Sequence, residues 1–409
     1  MHVLLLTHHF PPENAAPQRR WDAFGRRFAA AGHRVSVVCP PPHYPSGRLR
    51  RAHRREYGVG TTQVTEYGAR VHRTAYLQHG SDIVSRTLDH LVAAADAVRV
   101  AMRATRGHRP DVIIATAPGI PTIIAGRVLG SLLGRPVVVE MRDAWPDLVT
   151  HTPGLAGERG VRGLVKRTIH RVMTRWQQGA DHVVTTTQRF ADVLEGRGIA
   201  RPSVIRNGTA VERYARIGPR DPDHEELRAL YMGNLGRSQG LEHVIRVAAR
   251  MREAGVRIDV RIVGHGADAS RLRRLNAALG DPVDLRDHVP ATEVAGHYEW
   301  ADTTIVSLRD WHPFEWTVPS KLYEMLATGR HVTGIVGGEA AEIVADSGAG
   351  DVVAPGDEDG LAALWALLAA DRRRLETHGP GRAWAVEHCD YDRLAARYLG
   401  VLDRVVGGR

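Results

Sequence analysis

The chain carries only two cysteines in 409 residues, Cys39 and Cys389, and no long uninterrupted run of apolar residues. Two cysteines give neither the disulfide framework of a small secreted domain nor the cysteine cluster of a structural zinc site. They fit a reducing, cytoplasmic setting. A membrane-spanning helix needs about 18 consecutive apolar residues, and none is present. The opening MHVLLLTHHFPPEN passes from a short apolar run into Pro-Pro without a small-residue cleavage site, so it reads as a buried strand rather than a signal peptide. The GxGxxG spacing of a dinucleotide site is missing from the first βα turn, so NAD is not implied. Closely spaced aspartates that would hold a divalent metal beside a diphosphate are nearly lacking. DPD, Asp221–Asp223, sits in a polar segment where a turn is the simpler reading. No metal and no cofactor is expected beyond a co-substrate.

What is present is a globular balance, 43% hydrophobic and 25% charged, in a chain too long for one ordinary core. The net charge of +9 raises the question of a polyanionic partner. Most of the excess is arginine spread along helical patterns such as QRRWDAFGRRF and RLRRL, which make solvated faces, so nucleic acid is not expected. Two stretches keep peripheral contact with the inner membrane face open: the dense run RLRRAHRR, Arg48 to Arg55, and the basic helix GLVKRTIHRVMTRW, Gly163 to Trp176. For that helix, packing on the sheet is the first expectation.

Short apolar runs alternate with helical patterns through the first half, from HVLLLTH to PVVVEMRD, which predicts parallel strands buried on both faces. TQVTEYGARVHRTAYL alternates around Tyr67-Gly68 and predicts a local hairpin. The same grammar restarts near Ala229. The expected fold is therefore α/β, two doubly wound Rossmann-like domains facing across a cleft, where such sheets bind ligands at their strand C-terminal ends. The boundaries read as 1–207, a turn-rich linker 208–226, a second domain 227–385, and a C-terminal helix 386–409 that crosses back to the first.

The stretches GHRVSVV (Gly32 to Val38), VIRNG (Val204 to Gly208), YMGNLGRSQGLEHVI (Tyr231 to Ile245), IVGHG (Ile262 to Gly266), VPSKLYEMLATGRHV (Val318 to Val332), GGEAAEIV (Gly337 to Val344) and APGD (Ala354 to Asp357) follow in a definite order. Together they resemble the retaining glycosyltransferases of family four, GT-B enzymes, and most closely the branch in bacterial polysaccharide and secondary-metabolite assembly. The resemblance covers nearly the whole chain. It implies transfer of a sugar from a nucleotide-diphosphate sugar to an acceptor nucleophile, either a small metabolite or a lipid-linked sugar.

Negative charge develops on the diphosphate as the glycosidic bond breaks, and something positive must meet it. Without a metal, arginine, lysine and helix N-termini must supply that charge. Arg237, with Gly236, lies on a βα loop at a strand's C-terminal edge, and the resemblance assigns such a cation to the diphosphate. Pro319 and Ser320 open a helix whose N-terminus is a ready phosphate site. Lys321 in its first turn opposes the helix dipole unless an anion is near. Glu324, one turn on, can accept hydrogen bonds from the two hydroxyls of a ribose. An exposed Lys321–Glu324 pair is the bland alternative. In the family pattern a first glutamate precedes this one with seven residues between them; here that place is Trp316, with Glu315 one position early. His265 and Val289 belong to loops flanking the expected nucleobase pocket, and Glu339 is expected near the donor sugar, with Glu342 supporting its loop.

On the acceptor side, His9, Asn14 and Arg19 occupy the first βα loop, where relatives have paired glycines and this chain has Ala15-Ala16-Pro17. Arg142 and Asp143 follow an apolar strand where family members often carry a histidine. They are the catalytic candidates, Asp143 to orient or deprotonate the acceptor and Arg142 to stabilise charge. Trp145 shapes an apolar acceptor wall. Two rival readings share the architecture: a nucleotide-sugar 2-epimerase, and a noncatalytic nucleotide-sugar-binding partner.

Overall fold

The computed structural model describes residues 1–13, 16–44, 46–49, 51–80, 82–117, 120–150, 160–221, 223–377 and 379–408. The chain divides into two compact units, Met1–Arg206 with Tyr391–Arg409, and Asn207–Asp390.

The first unit is built on eight strands: β1 (His2–Leu6), β2 (Arg34–Cys39), β3 (Thr62–Val64), β4 (Arg70–Arg73), β5 (Val112–Thr116), β6 (Val137–Met141), β7 (His182–Thr185) and β8 (Ser203–Val204). Their order is β3-β4-β2-β1-β5-β6-β7-β8. Every pairing is parallel except β3 with β4, which closes the hairpin around Gly68. HVLLL, VIIAT and VVVEM are buried along their whole length, as strands covered by helices on both faces must be. The last helix, Tyr391–Gly407, belongs to this unit. It lays Leu394, Tyr398, Val401 and Leu402 against Trp21, Phe24 and Phe28 of the helix Ala16–Ala30.

The second unit has six parallel strands: β9 (Leu227–Asn234), β10 (Ile258–His265), β11 (Asp284–Arg286), β12 (Thr303–Ser307), β13 (His331–Ile335) and β14 (Gly350–Val353). They are ordered β11-β10-β9-β12-β13-β14. Because β9 is flanked by β10 and β12, the chain reverses direction across the sheet there, and the loops after β9, β10, β12 and β13 gather at the strands' C-terminal ends. Residues 208–226 are not a free linker but a piece of this unit. Val211 and Ile217 are buried in its core, and buried Arg330 donates to the carbonyls of Gly218 and Pro219. A turn-rich sequence hides this because the anchors are single apolar residues held by an arginine more than 100 positions away. Asp221–Asp223 forms a side-chain turn, the Asp223 N–H donating to Asp221 Oδ1 at 3.0 Å.

Candidate donor site and the residues of the first unit

The loop after β9 turns tightly at Arg237–Gln239 before the helix Leu241–Glu253. Two chain segments hold that turn. Leu235 N–H donates to His265 O and Asp268 N–H to Leu235 O, tying it to the loop after β10. From the other side, Arg309 donates its N–H to Ser238 O and its Nε to Arg237 O, while its guanidinium binds Glu242, a buried carboxylate in the first turn of the following helix. Glu242 also takes Arg271, which binds Asp268. With the backbone fixed, the Arg237 side chain stands exposed, and among the described residues it makes no ion pair.

The loop after β12 ends in a 3-10 turn, His312–Trp316, and then the helix Ser320–Thr328. Gly329 closes that helix in the left-handed conformation, φ +72°. Arg382 satisfies its last carbonyls, donating to Ala327 O and Thr328 O. The N-terminus, by contrast, has no side-chain cap. Lys321 Nζ donates to Glu324 Oε2 at 2.7 Å, and Tyr214 Oη donates to the same oxygen at 2.9 Å. The pair is not a solvated surface pair, because Glu324 is only 7% exposed. After β13 the chain passes through Gly337-Gly338 into the helix Gly338–Asp346. Gly338 has φ +60°, and a Cβ there would lie 2.0 Å from Glu315 O, so only glycine lets the two loops touch. Buried Glu339 sits in that helix's first turn.

In the first unit, β6 runs directly into Arg142 and Asp143. Burial lowers the pKa of Arg142, whose enclosed Nε finds no hydrogen-bond partner among the described residues. Burial raises the pKa of Asp143, partly opposed by the neighbouring guanidinium. The Asp143 carbonyl accepts Trp145 N–H at 2.7 Å. In the same strand, fully buried Glu140 binds Arg20 at 2.8 Å and accepts from Thr116, and Arg20 also caps the carbonyls of Ile205 and Arg206.

A family model for a glycosyl transferase 4-like domain matches residues 16–208, and one for glycosyl transferases group 1 matches residues 226–371. The chain belongs to the GT-B glycosyltransferases. It is 26% identical over 347 residues to the putative colanic acid biosynthesis glycosyl transferase WcaI of Escherichia coli K12, covering 80% of this chain and 82% of that protein. Among solved structures, sucrose-phosphate synthase from Thermosynechococcus elongatus aligns over 100% of both chains, with a TM-score of 0.75 and 16% identity. Anabaena HepE, solved with UDP, aligns over 98% of this chain and 100% of its own, with a TM-score of 0.69 and 14% identity.

In this glycosyltransferase the residues read from sequence fall into four groups. Ser320, Lys321 and Glu324 lie on one short helix, and Gly236 and Arg237 on a turn of the neighbouring loop. Glu315 and Glu339 lie on two loops that meet at Gly338, although Glu315 Oε1 is engaged with His312 Nδ1 at 3.2 Å. His265 ends β10 and Val289 stands on the loop after β11; His265 is exposed against His288, ring centroids 5.3 Å apart, and Val289 leans on the core. In the first unit, His9 lies 3.4 Å from Glu13, Arg19 is exposed, and half-buried Trp145 accepts a bond from Gln177 on its carbonyl. Asn14 lies outside the described residues. It is Arg20, one position after the expected Arg19, that turns inward. Sequence reasoning also missed Tyr214, Arg309 and Arg382. The last two could have been sought as arginines in otherwise apolar or turn-forming surroundings, whereas Tyr214 was hidden by its place in the apparent linker.

Proposed function

We propose that the enzyme is a retaining, metal-independent transferase that takes a nucleotide-diphosphate sugar on its second unit and a lipid-linked or small-molecule acceptor on its first. The observation that carries this reading is the uncapped start of the helix Ser320–Thr328, with Lys321 and Glu324 in its first turns and exposed Arg237 on the neighbouring loop. The two cations and the helix N-terminus supply positive charge for a diphosphate. Glu324, buried and held by Tyr214, offers its carboxylate to the ribose hydroxyls. The complexes of HepE with UDP and with UDP-glucose support a nucleoside diphosphate as the bound group.

The family resemblance supports retention, with the departing diphosphate accepting the proton of the incoming nucleophile. Asp143, its affinity for a proton raised by burial, orients the acceptor or shares that proton. On the helix Gly160–Gln178, Leu164, Ile169 and Val172 are exposed beside exposed Arg167, Arg171 and Arg175, which supports a lipid-linked acceptor at an anionic surface. Among the described residues no helix is long and apolar enough to cross a membrane.

A panel of nucleotide sugars tests the donor half, because a ligand that binds the folded state raises its melting temperature by mass action. The donor found should bind with the same Kd with and without magnesium. A magnesium requirement removes the metal-independent reading. Incubation with donor alone should leave it unchanged, and an isomerised nucleotide sugar under those conditions would replace the transferase with an epimerase.

A further inference from the structure

The sequence expectation of no metal rested on scarce cysteine and scarce paired aspartate. Neither bears on a cluster that the first unit assembles from three loops and a helix. His8 follows β1, His43 follows β2, His79 follows β4, and Asp89 stands on the helix Ile83–Ala104. Three imidazoles aim the same nitrogen at one carboxylate oxygen. From Asp89 Oδ2 the distances are 2.9 Å to His8 Nε2, 3.2 Å to His43 Nε2 and 3.9 Å to His79 Nε2. The side chains of His8, His43 and Asp89 are at most 2% exposed, and that of His79 is 8% exposed.

The other ring nitrogens say which atoms are free. His43 Nδ1 donates to Pro41 O at 2.6 Å and His79 Nδ1 to Gly80 O at 2.7 Å. A carbonyl oxygen only accepts, so in both rings Nδ1 carries the hydrogen, and in the neutral ring Nε2 then carries a lone pair. His8 Nε2, buried and 2.9 Å from the carboxylate, makes no hydrogen bond to it or to any other group among the described residues. His43 Nε2 and Asp89 Oδ2, 3.2 Å apart, need a proton or a metal ion between them, and a metal ion can serve all of the converging nitrogens at once.

We infer that His8, His43 and Asp89, with His79 at the rim, form a site for a zinc ion or a divalent ion of like preference. Zinc bonds of about 2.0–2.2 Å place neighbouring ligand atoms roughly 3.4 Å apart; His8 and His43 Nε2 stand 2.9 and 3.2 Å from Asp89 Oδ2, the ligand atoms of these three residues lie within 4.8 Å of one another, and His79 Nε2 is 3.9 Å from the same oxygen. The outer contacts are those of a metal site: two backbone carbonyls fix the imidazoles, and the Leu77 N–H donates to Asp89 Oδ1 at 2.8 Å, leaving Oδ2 for the ion. The three convergent ligands are buried and come from separate segments of the chain, so the ion is structural. It locks the first βα loop, which carries His9, to the segments after β2 and β4.

The test uses full-length protein purified without a histidine tag. Mass spectrometry should find one zinc per chain, or one taken up on incubation. A strong chelator should lower the melting temperature, and zinc at roughly 100 times its Kd should restore it by about 5–10 °C. Cobalt(II) in its place should give the intense visible bands of a four-coordinate ion. Asp89→Asn and His43→Gln should abolish uptake. His79→Gln, at the rim and expected to fold if those two do not, should weaken zinc binding about tenfold or more. Protein that takes up no zinc and melts identically with chelator and with zinc overturns the inference. So does uptake that His79→Gln and a His8→Gln, His43→Gln pair leave unchanged, since the ion would then sit elsewhere.

Discussion

Glu324 receives two donors on one oxygen, Lys321 Nζ and Tyr214 Oη, and the two differ in what they can contribute. A hydrogen bond to a charged group contributes about 1.5–3 kcal/mol, and a neutral one about 1 kcal/mol. Glu324→Gln should therefore raise the donor Kd by roughly 10–100-fold, and Tyr214→Phe by roughly fivefold, with both proteins still folded by circular dichroism. Titration calorimetry checks both. A lowered melting temperature with unchanged Kd would reduce Glu324 to a packing role. At Asp143 the prediction concerns pH. A base works in its deprotonated form, and burial raises this carboxyl above the ordinary aspartate value. Activity should therefore fall on acidification with a midpoint above that of an exposed aspartate. Asp143→Asn should remove this acid limb and lower kcat by about 10²–10⁴-fold, measured as a pH profile of kcat/KM. The pairing of Lys321 with Glu324 was legible because i, i+3 spacing on a helix is a local fact. The contribution of Tyr214 was not, since it reaches Glu324 across 110 positions.

At the scale of elements, the site depends on two short pieces of chain held from behind. The turn Arg237–Gln239 is braced by Arg309, and Arg309 by buried Glu242. Glu242→Ala leaves Arg309 and Arg271 each short of a partner. It should destabilise the second unit by about 1–3 kcal/mol and raise the donor KM, because Arg237 loses its fixed backbone. Equal KM values with a lowered melting temperature would place the brace outside donor binding. In the first unit, Glu140→Gln strands the 1%-exposed Arg20 without its counter-charge and should cost about 3–5 kcal/mol, read by urea unfolding. Glu140→Gln with Arg20→Met should recover much of that loss. The strands and site loops were readable from apolar runs punctuated by glycine. The braces were not, because an arginine on a turn looks the same in sequence whether it faces water or a buried carboxylate.

The whole molecule is two α/β units with the chain returning from the second to finish the first. That return was legible, since an amphipathic helix remained after both sheets were complete; the absorption of residues 208–226 was not. Truncation after Asp390 should expose Trp21, Phe24 and Phe28, now covered by Tyr398 and its neighbours, and lower the first unit's melting while leaving donor binding to the second intact. Calorimetric scans with and without nucleotide separate the two transitions.

The same return sets an order of events at the ribosome. Most of the first unit emerges before the second, yet its closing helix is made after the second, roughly 180 residues later. At about 5–20 residues per second this is a wait of about 10–40 s. Throughout that interval Trp21, Phe24 and Phe28 lack the cover of Tyr398 and its neighbours. A permuted gene that encodes the closing helix first would shorten the exposure without altering the native contacts.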